Sequence, residues 1–309
     1  MHRLFLVYNP RSSRFIDVDK EVIDRVRGLK GCIIGKYEVK PTNLEDNINT
    51  FSKLIKNGDL VLSAGGDATG IIASNAILKS GKDATLAVLP YGNFNDLART
   101  LGTMQFDDLN LEGLLKSSSS KSIKKLYPLE IYVDNMFYRY ATCYVTIGMT
   151  AEACEIFDEP KFRKEMQKGH KSSWRSYIAL MKWYFKNRHK KQFIPSFRLN
   201  GKPQHKKTSD YAAVSGRSMC RVMKGGDDYL DPRRFRSMTD RLTNFWHLLK
   251  LMVAAIFVRT PGSETTGDLL EFDHPATVEL QAEGEYQVFK NIKTIEIKKG
   301  KKCLKVIHA

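Results

Sequence analysis

Leu60-Val61-Leu62-Ser63-Ala64-Gly65-Gly66-Asp67-Ala68-Thr69 decides how the rest of the chain is read. It opens with an unbroken apolar run, the pattern of a strand buried on both faces. It closes into Thr69–Lys79, which reads as a helix. Paired glycines between strand and helix let the backbone turn tightly and bring N–H groups close to a phosphate. The helix N-terminus aims a partial positive charge at the same place. Asp67 is then the odd residue, because a carboxylate repels phosphate unless a bridging Mg²⁺ or a catalytic role compensates. Taken alone, the stretch fits a plain glycine turn with an aspartate cap equally well.

Working outward, two further strand ends repeat the arrangement. Leu86–Leu89 is apolar and runs into Pro90-Tyr91-Gly92-Asn93-Phe94-Asn95-Asp96, which opens a short helix from about Asn95 to Leu101. Leu4–Tyr8 is apolar and ends at Asn9-Pro10. Between them the pattern predicts a helix over Val18–Leu29, a strand from Ile33 to Val39, and a helix capped by Thr42 or Asn43 and ended by Gly58. Strand–helix alternation with continuous apolar strands predicts a parallel sheet covered on both faces. In such sheets ligands bind outside the carboxyl ends of the strands. Asn9, the Gly65–Asp67 turn and the Asn95–Asp96 pair therefore make one nucleotide site.

The pattern changes after a serine-rich linker candidate, Lys116–Ser122. Leu129–Val133 and Phe137–Val145 alternate like antiparallel strands around Asp134-Asn135. Strand-like pieces return at Tyr211–Val214, Thr277–Leu280, Ile292–Ile297 and Leu304–Ile307. Composition bounds the partners. Fifty Lys and Arg against thirty-four Asp and Glu leave a net charge of +16, which favours anionic partners. Five scattered Cys without a Cys-x-x-Cys argue for a reducing compartment. The apolar start is too short for a signal-peptide core, and Leu242–Val258 is interrupted by Asn244, His247 and Lys250, so a soluble or peripheral protein is expected.

Gly65-Gly66-Asp67-Ala68-Thr69 resembles the Gly-Gly-Asp-Gly-Thr signature of the diacylglycerol kinase catalytic-domain family, which includes bacterial lipid kinases and the related sphingosine and ceramide kinases. Pro90-Tyr91-Gly92-Asn93-Phe94-Asn95-Asp96-Leu97-Ala98-Arg99 is similar to the family's Pro-x-Gly-Thr-x-Asn-Asp-Phe-Ala-Arg segment, and Glu283-Gly284-Glu285 to its Asp-Gly-Glu. The resemblance implies an α/β N-terminal domain with a parallel sheet, of the NAD kinase and diacylglycerol kinase type, over 1–125. A C-terminal β-sandwich domain carrying the acceptor site would span 126–287, with 288–309 returning to the first domain. It implies ATP and Mg²⁺ as cofactors, with nucleotide held by Asn9, Gly65, Gly66, Asp67, Thr69, Gly92, Asn95, Asp96 and Glu285. Asp67 and Glu285 would be catalytic, Glu285 as general base. The activity would be transfer of the ATP γ-phosphate to a lipid hydroxyl, diacylglycerol giving phosphatidate. The partners would be a lipid substrate and an anionic membrane surface rather than nucleic acid, at the cytoplasmic face of the inner membrane; a homodimer stays open.

The chain also departs from the family. Ala68 and Asn93 replace a glycine and a threonine, Glu283 an aspartate, and the Asp240-Arg241-Leu242-Thr243-Asn244 stretch lacks a glycine and an aspartate of a family metal site, so no metal ligands are assigned. If position 68 needs a positive φ, its β-carbon is strained. Two other readings stand beside the first: a catalytically lapsed relative that binds nucleotide and anionic lipid, and an NAD kinase, which shares the glycine signature. Trp174, Tyr177, Ile178, Met181, Tyr184 and Phe185 recur at helical spacing among basic residues, either as a face packed on the second domain or as a membrane face. Phe245–Val258 is expected to pack internally.

Overall fold

The computed structural model describes residues 2–12, 22, 24–27, 32–109, 123–158, 178, 181–186, 194–220, 223–241, 245–253, 257 and 261–308. The chain forms two compact units, residues 1–127 with 302–309, and residues 128–301. The linker candidate Lys116–Ser122 lies outside the described residues.

The first unit begins with β1 (His2–Tyr8) and a short helix α1 (Asp24–Arg27), followed by β2 (Cys32–Glu38) and α2 (Leu44–Ser52). Then come β3 (Leu60–Gly65), α3 (Asp67–Ser80), β4 (Thr85–Pro90), α4 (Asp96–Leu101) and β5 (Ile123–Leu126). The strand order is β2-β1-β3-β4, then the last strand of the chain (Leu304–Ile307), then β5. All neighbours are parallel except β5, which runs against the last strand. Their apolar runs are buried because helices leave neither face to water: Leu6, Val61, Leu62 and Leu86 are fully covered.

Local chemistry explains the boundaries. Asn43 starts α2 by accepting the Asp46 N–H at 2.7 Å. That helix stops at Ser52, earlier than the expected Gly58, which instead takes a φ of 81° in the turn before β3. Asn47 on α2 is buried and saturated, accepting from the Tyr37 hydroxyl and the Lys40 N–H while donating to Lys40, Thr42 and Asn43. It pins α2 to the end of β2. Of the helix expected over Val18–Leu29, the described part is α1 and the buried Val22.

The second unit is an antiparallel sheet domain. Its elements are β6 (Leu129–Val133), β7 (Met136–Ala141), β8 (Tyr144–Gly148), α5 (Met149–Asp158), β9 (Phe197–Leu199), β10 (Lys202–Pro203), β11 (Asp210–Val214), β12 (Ser218–Met219), β13 (Met223–Lys224), β14 (Phe235–Asp240), α6 (Phe245–Val253), β15 (Ser263–Thr265), β16 (Gly267–Ala282) and β17 (Glu285–Lys299). Instead of two separately bonded layers, ten of its strands join in one sheet, along the path β15-β14-β11-β8-β16-β17-β6-β7 with β9 and β10 beside it. β16 makes this possible. Near its start it pairs with β9, near its end with β8, and a register shift between Glu271 and Ala276 bends it between them. Its inward residues Leu270, Phe272, Ala276, Val278, Leu280 and Ala282 join Ile131, Ile147, Tyr211 and Ile295 in one core.

β17 belongs wholly to this unit. The returning segment is therefore 302–309, shorter than the expected 288–309. The expected turn at Asp134-Asn135 is a two-residue hairpin with φ of 47° and 64°.

Candidate functional site

In the first unit the sheet order places β1 between β2 and β3, so the chain leaves β1 towards opposite sides. This is the point where open parallel sheets bind ligands. Three loops meet there. The Asn9 N–H donates to the Ala64 carbonyl at 3.2 Å, and the Tyr91 N–H to the Gly65 carbonyl at 2.9 Å. Asn9 also closes its own turn, its Oδ1 accepting the Arg11 N–H at 3.0 Å.

Asp67 joins two of these loops. It is the first residue of α3, and its two carboxylate oxygens accept the N–H groups of Asn95 at 2.9 Å and Asp96 at 2.7 Å. A carboxylate from one turn thus caps the helix that the next turn opens. Asn95 sits in the left-handed region, with φ 57°, which Asn tolerates better than most residues. Its Oδ1 accepts the Gly92 N–H at 2.7 Å and its Nδ2 donates to the Gly92 carbonyl at 2.8 Å, so its side chain staples its own turn.

The glycines are required by close approach, between the two loops at Gly92 and within a single turn at Gly65. A β-carbon on Gly92 would lie 2.4 Å from the Gly66 Cα, and one on Gly65 would lie 2.2 Å from the Thr69 Oγ1. Gly66, the N-cap of α3, has no side chain with which to cap it. Thr69 is fully buried beneath Gly65, and the Thr69 and Ser63 hydroxyls have no hydrogen-bond partner among the described residues. Ala68 lies inside α3 and is not among the residues of positive φ. The strain that a β-carbon would suffer at a left-handed position does not arise.

The sequence-predicted residues Asn9, Gly65, Gly66, Asp67, Thr69, Gly92, Asn95 and Asp96 are thus gathered at one edge of the first unit. Glu285 is in the second unit, at the start of β17, where it pairs with Ala282 and is half-buried. Between them Glu283 and Gly284 form a two-residue turn with φ of 53° and 93°. Glu283 was noted only as a substitution, yet it is the buried carboxylate of this hairpin. It accepts the Thr142 hydroxyl and the Cys143 N–H, and burial pushes its pKa up to about 7. The longer arm of glutamate is what spans from the turn to those donors.

Further buried polar residues lie along the same sheet. Gln281 accepts the Thr146 hydroxyl at 2.6 Å and donates to the Tyr144 hydroxyl at 3.3 Å. Lys299 is buried, its Nζ donating to the Ser215 Oγ and the Asp228 carbonyl, each at 2.6 Å; desolvation lowers its pKa to about 7. Asp210 accepts both the N–H and the hydroxyl of Thr150 at 2.9 Å, and burial raises its pKa to about 8. Their sequence neighbourhoods carry no motif; only the strand pairing makes them inward. Among the described residues no three His, Cys, Asp or Glu side chains are grouped as a metal site. Leu242–Asn244 lie outside the described residues.

A doubly wound sheet with glycine turns at its switch point, followed by an antiparallel sheet, defines the class: an α/β domain joined to an antiparallel β domain. Residues 3–125 match the family model described as the diacylglycerol kinase catalytic domain. A diacylglycerol kinase structure from Bacillus anthracis str. Sterne is similar over 100% of this chain and 97% of its own, with TM-score 0.63 and 14% identity. Another from the same organism, provisionally described as a diacylglycerol kinase, aligns over the same shares with TM-score 0.66 and 13% identity. At that identity the likeness establishes the shared fold. No curated protein matches the chain. Among the described residues no helix is long and apolar enough to cross a membrane.

Proposed function

We propose that the protein is an ATP- and Mg²⁺-dependent lipid kinase that phosphorylates a lipid hydroxyl, with diacylglycerol giving phosphatidate as the first candidate reaction. The observation that carries the reading is the bonding of three strand-end turns, Asn9, Gly65–Asp67 and Gly92–Asp96, inside a segment that matches the diacylglycerol kinase catalytic domain. Gly65, Gly66 and the uncapped start of α3 suit a nucleotide phosphate. Asp67 sets a carboxylate at the same turn, and Mg²⁺ arriving with nucleotide needs only one or two carboxylates. When bound, Mg²⁺ neutralises charge on the phosphates.

Glu285 takes the role of general base. Its carboxylate receives the acceptor's hydroxyl proton as the new oxygen–phosphorus bond forms and the bond to ADP breaks. The strained-alanine argument for a lapsed relative is weakened by the helical backbone at Ala68. The proposal includes a cytoplasmic protein that works at the inner face of a membrane, where its +16 charge favours anionic lipid.

The test is phosphoryl transfer from labelled ATP with Mg²⁺ to detergent micelles carrying diacylglycerol, phosphatidylglycerol, a sphingoid base, ceramide or a polyprenol. Glu285→Gln and Asp67→Asn serve as controls. A labelled lipid made by the unmodified protein and not by Glu285→Gln is expected. Folded, ATP-binding protein that labels none of them overturns the reading in favour of a binding protein.

A further inference from the structure

Two segments of the second unit leave large apolar side chains in water. Along α6, Trp246, Leu249 and Val253 are exposed, and Phe257, beyond the end of that helix, is exposed as well. At 100° per residue the three α6 residues fall within about 60° of one another, a single narrow stripe. Trp246 is 68% exposed and Phe257 73%. The expectation that this region packs internally is therefore corrected: Phe245, at the start of α6, turns toward the core, while the stripe faces out. The second segment contains Ile178 and residues 181–186, which are helical. Tyr184 is buried against Met149, with Trp183, Met238 and Phe245 beside it, whereas Ile178 and Phe185, seven positions apart, are exposed. Trp174 and Tyr177 lie outside the described residues.

The two stripes are continuous. The Phe185 ring stacks on Phe245 at 5.7 Å, and Phe245 meets Trp246 edge-on at 5.6 Å. Single exposed apolar residues need no explanation, but a contiguous set of this kind marks a contact surface. Its charge names the partner. Lys182, Lys186 and Lys250 are exposed beside the stripes. The sequence from Met166 to Ser209 holds twelve Lys or Arg and no Asp or Glu, and that from Arg241 to Gly262 holds no Asp or Glu. A second copy of the chain is disfavoured, because a two-fold interface would set these lysines against their own equivalents.

We propose that this face, Ile178 and Phe185 with Trp246, Leu249, Val253 and Phe257, docks on an anionic phospholipid bilayer, the apolar stripes entering the headgroup boundary and the lysines meeting lipid phosphates. The proposal rests on the lipid-kinase reading for its purpose, but its test does not need turnover.

The full-length protein is sedimented, without ATP, with vesicles of phosphatidylcholine alone or of phosphatidylcholine with phosphatidylglycerol. The parent is expected to bind the mixed vesicles and not the neutral ones. Each basic side chain near the surface contributes about fivefold in binding constant, so reversing Lys182, Lys186 and Lys250 to Glu weakens binding roughly a hundredfold. Trp246→Glu with Phe257→Glu, both at exposed positions, abolishes binding while circular dichroism and melting stay unchanged. No vesicle binding by the parent, equal binding to neutral vesicles, or full binding by the folded double variant each overturns the proposal. So does a vesicle-free dimer that the double variant splits. Vesicle binding without lipid phosphorylation refutes the kinase reading and leaves this surface standing; phosphorylated micellar lipid without vesicle binding does the reverse.

Discussion

Asp67→Ala removes two hydrogen bonds with one substitution, because the carboxylate accepts from Asn95 and Asp96 together. Both donors belong to nearly buried residues at the start of α4. A hydrogen bond to a charged group contributes about 1.5–3 kcal/mol, and a stranded buried donor costs a similar amount. The negative charge at the α4 N-terminus adds about 0.3–1 kcal/mol more. Asp67 itself is half-buried, so water can reach part of the gap and the total falls toward the lower end, about 3 kcal/mol. For a unit of this size that lowers the melting temperature by about 10 °C. Asp67→Asn keeps one acceptor and turns an N–H₂ toward the other donor, so roughly half the loss is expected. Calorimetric melts with urea titrations at pH 7.5 measure both. An Asp67→Ala protein melting within about 2 °C of the parent would refute the cross-loop cap. The consequence for enzymology is direct: lost turnover in Asp67→Ala reports on catalysis only at temperatures where that variant is shown to be folded.

Gly92→Ala forces a β-carbon to within 2.4 Å of the Gly66 Cα, and since the obstacle is backbone, a loss of about 3 kcal/mol is expected in urea unfolding. Ala68→Gly, which restores the family's glycine, meets a helical backbone; it should cost no more than about 1 kcal/mol and leave phosphoryl transfer, assayed as above, unchanged. Lys299 has a folded-state pKa lowered from 10.5 to about 7, so between those values the unfolded chain binds the extra proton. Its contribution makes stability rise with pH across that window, by up to about 1.4 kcal/mol per pH unit, and become constant below it. Lys299→Met should flatten that rise in urea midpoints at pH 6, 8 and 10; an identical slope in the variant contradicts a neutral buried amine.

The first unit was readable because its signals are local. Leu60–Leu62 and Leu86–Leu89 are continuous apolar runs, each followed within a few residues by glycine and a helix, and the strands extend them by only a few positions. The last strand was also placed, Leu304–Ile307. What the motif residues do for one another was not readable. Asp67 and Asn95 lie 28 positions apart, and only the parallel pairing of β3 with β4 brings their loops together. The second unit was read in fragments for the same reason. β16 runs 16 residues through Pro275 and a register shift, so its alternation is broken and only Thr277–Leu280 stood out. Glu283 looked like a conservative replacement, since its burial depends on Thr142 and Cys143, about 140 residues earlier.

The placement of Leu304–Ile307 between β4 and β5 bears on how the chain is made. During synthesis β5 emerges before the inserted unit, yet the strand it pairs with follows that unit, so the first sheet stays open until the inserted unit has been made. The intervening unit eases this wait. Its two ends are already bonded, the Gly300 N–H to the Pro128 carbonyl at 2.8 Å and Leu129 beside Lys299 in the ladder. Once that unit has folded, the long loop that must close for the last strand to insert is reduced to a few residues, and most of its closure entropy has been met beforehand. The connectivity thus favours one order of folding: the inserted unit first, then the part of the sheet beyond β4.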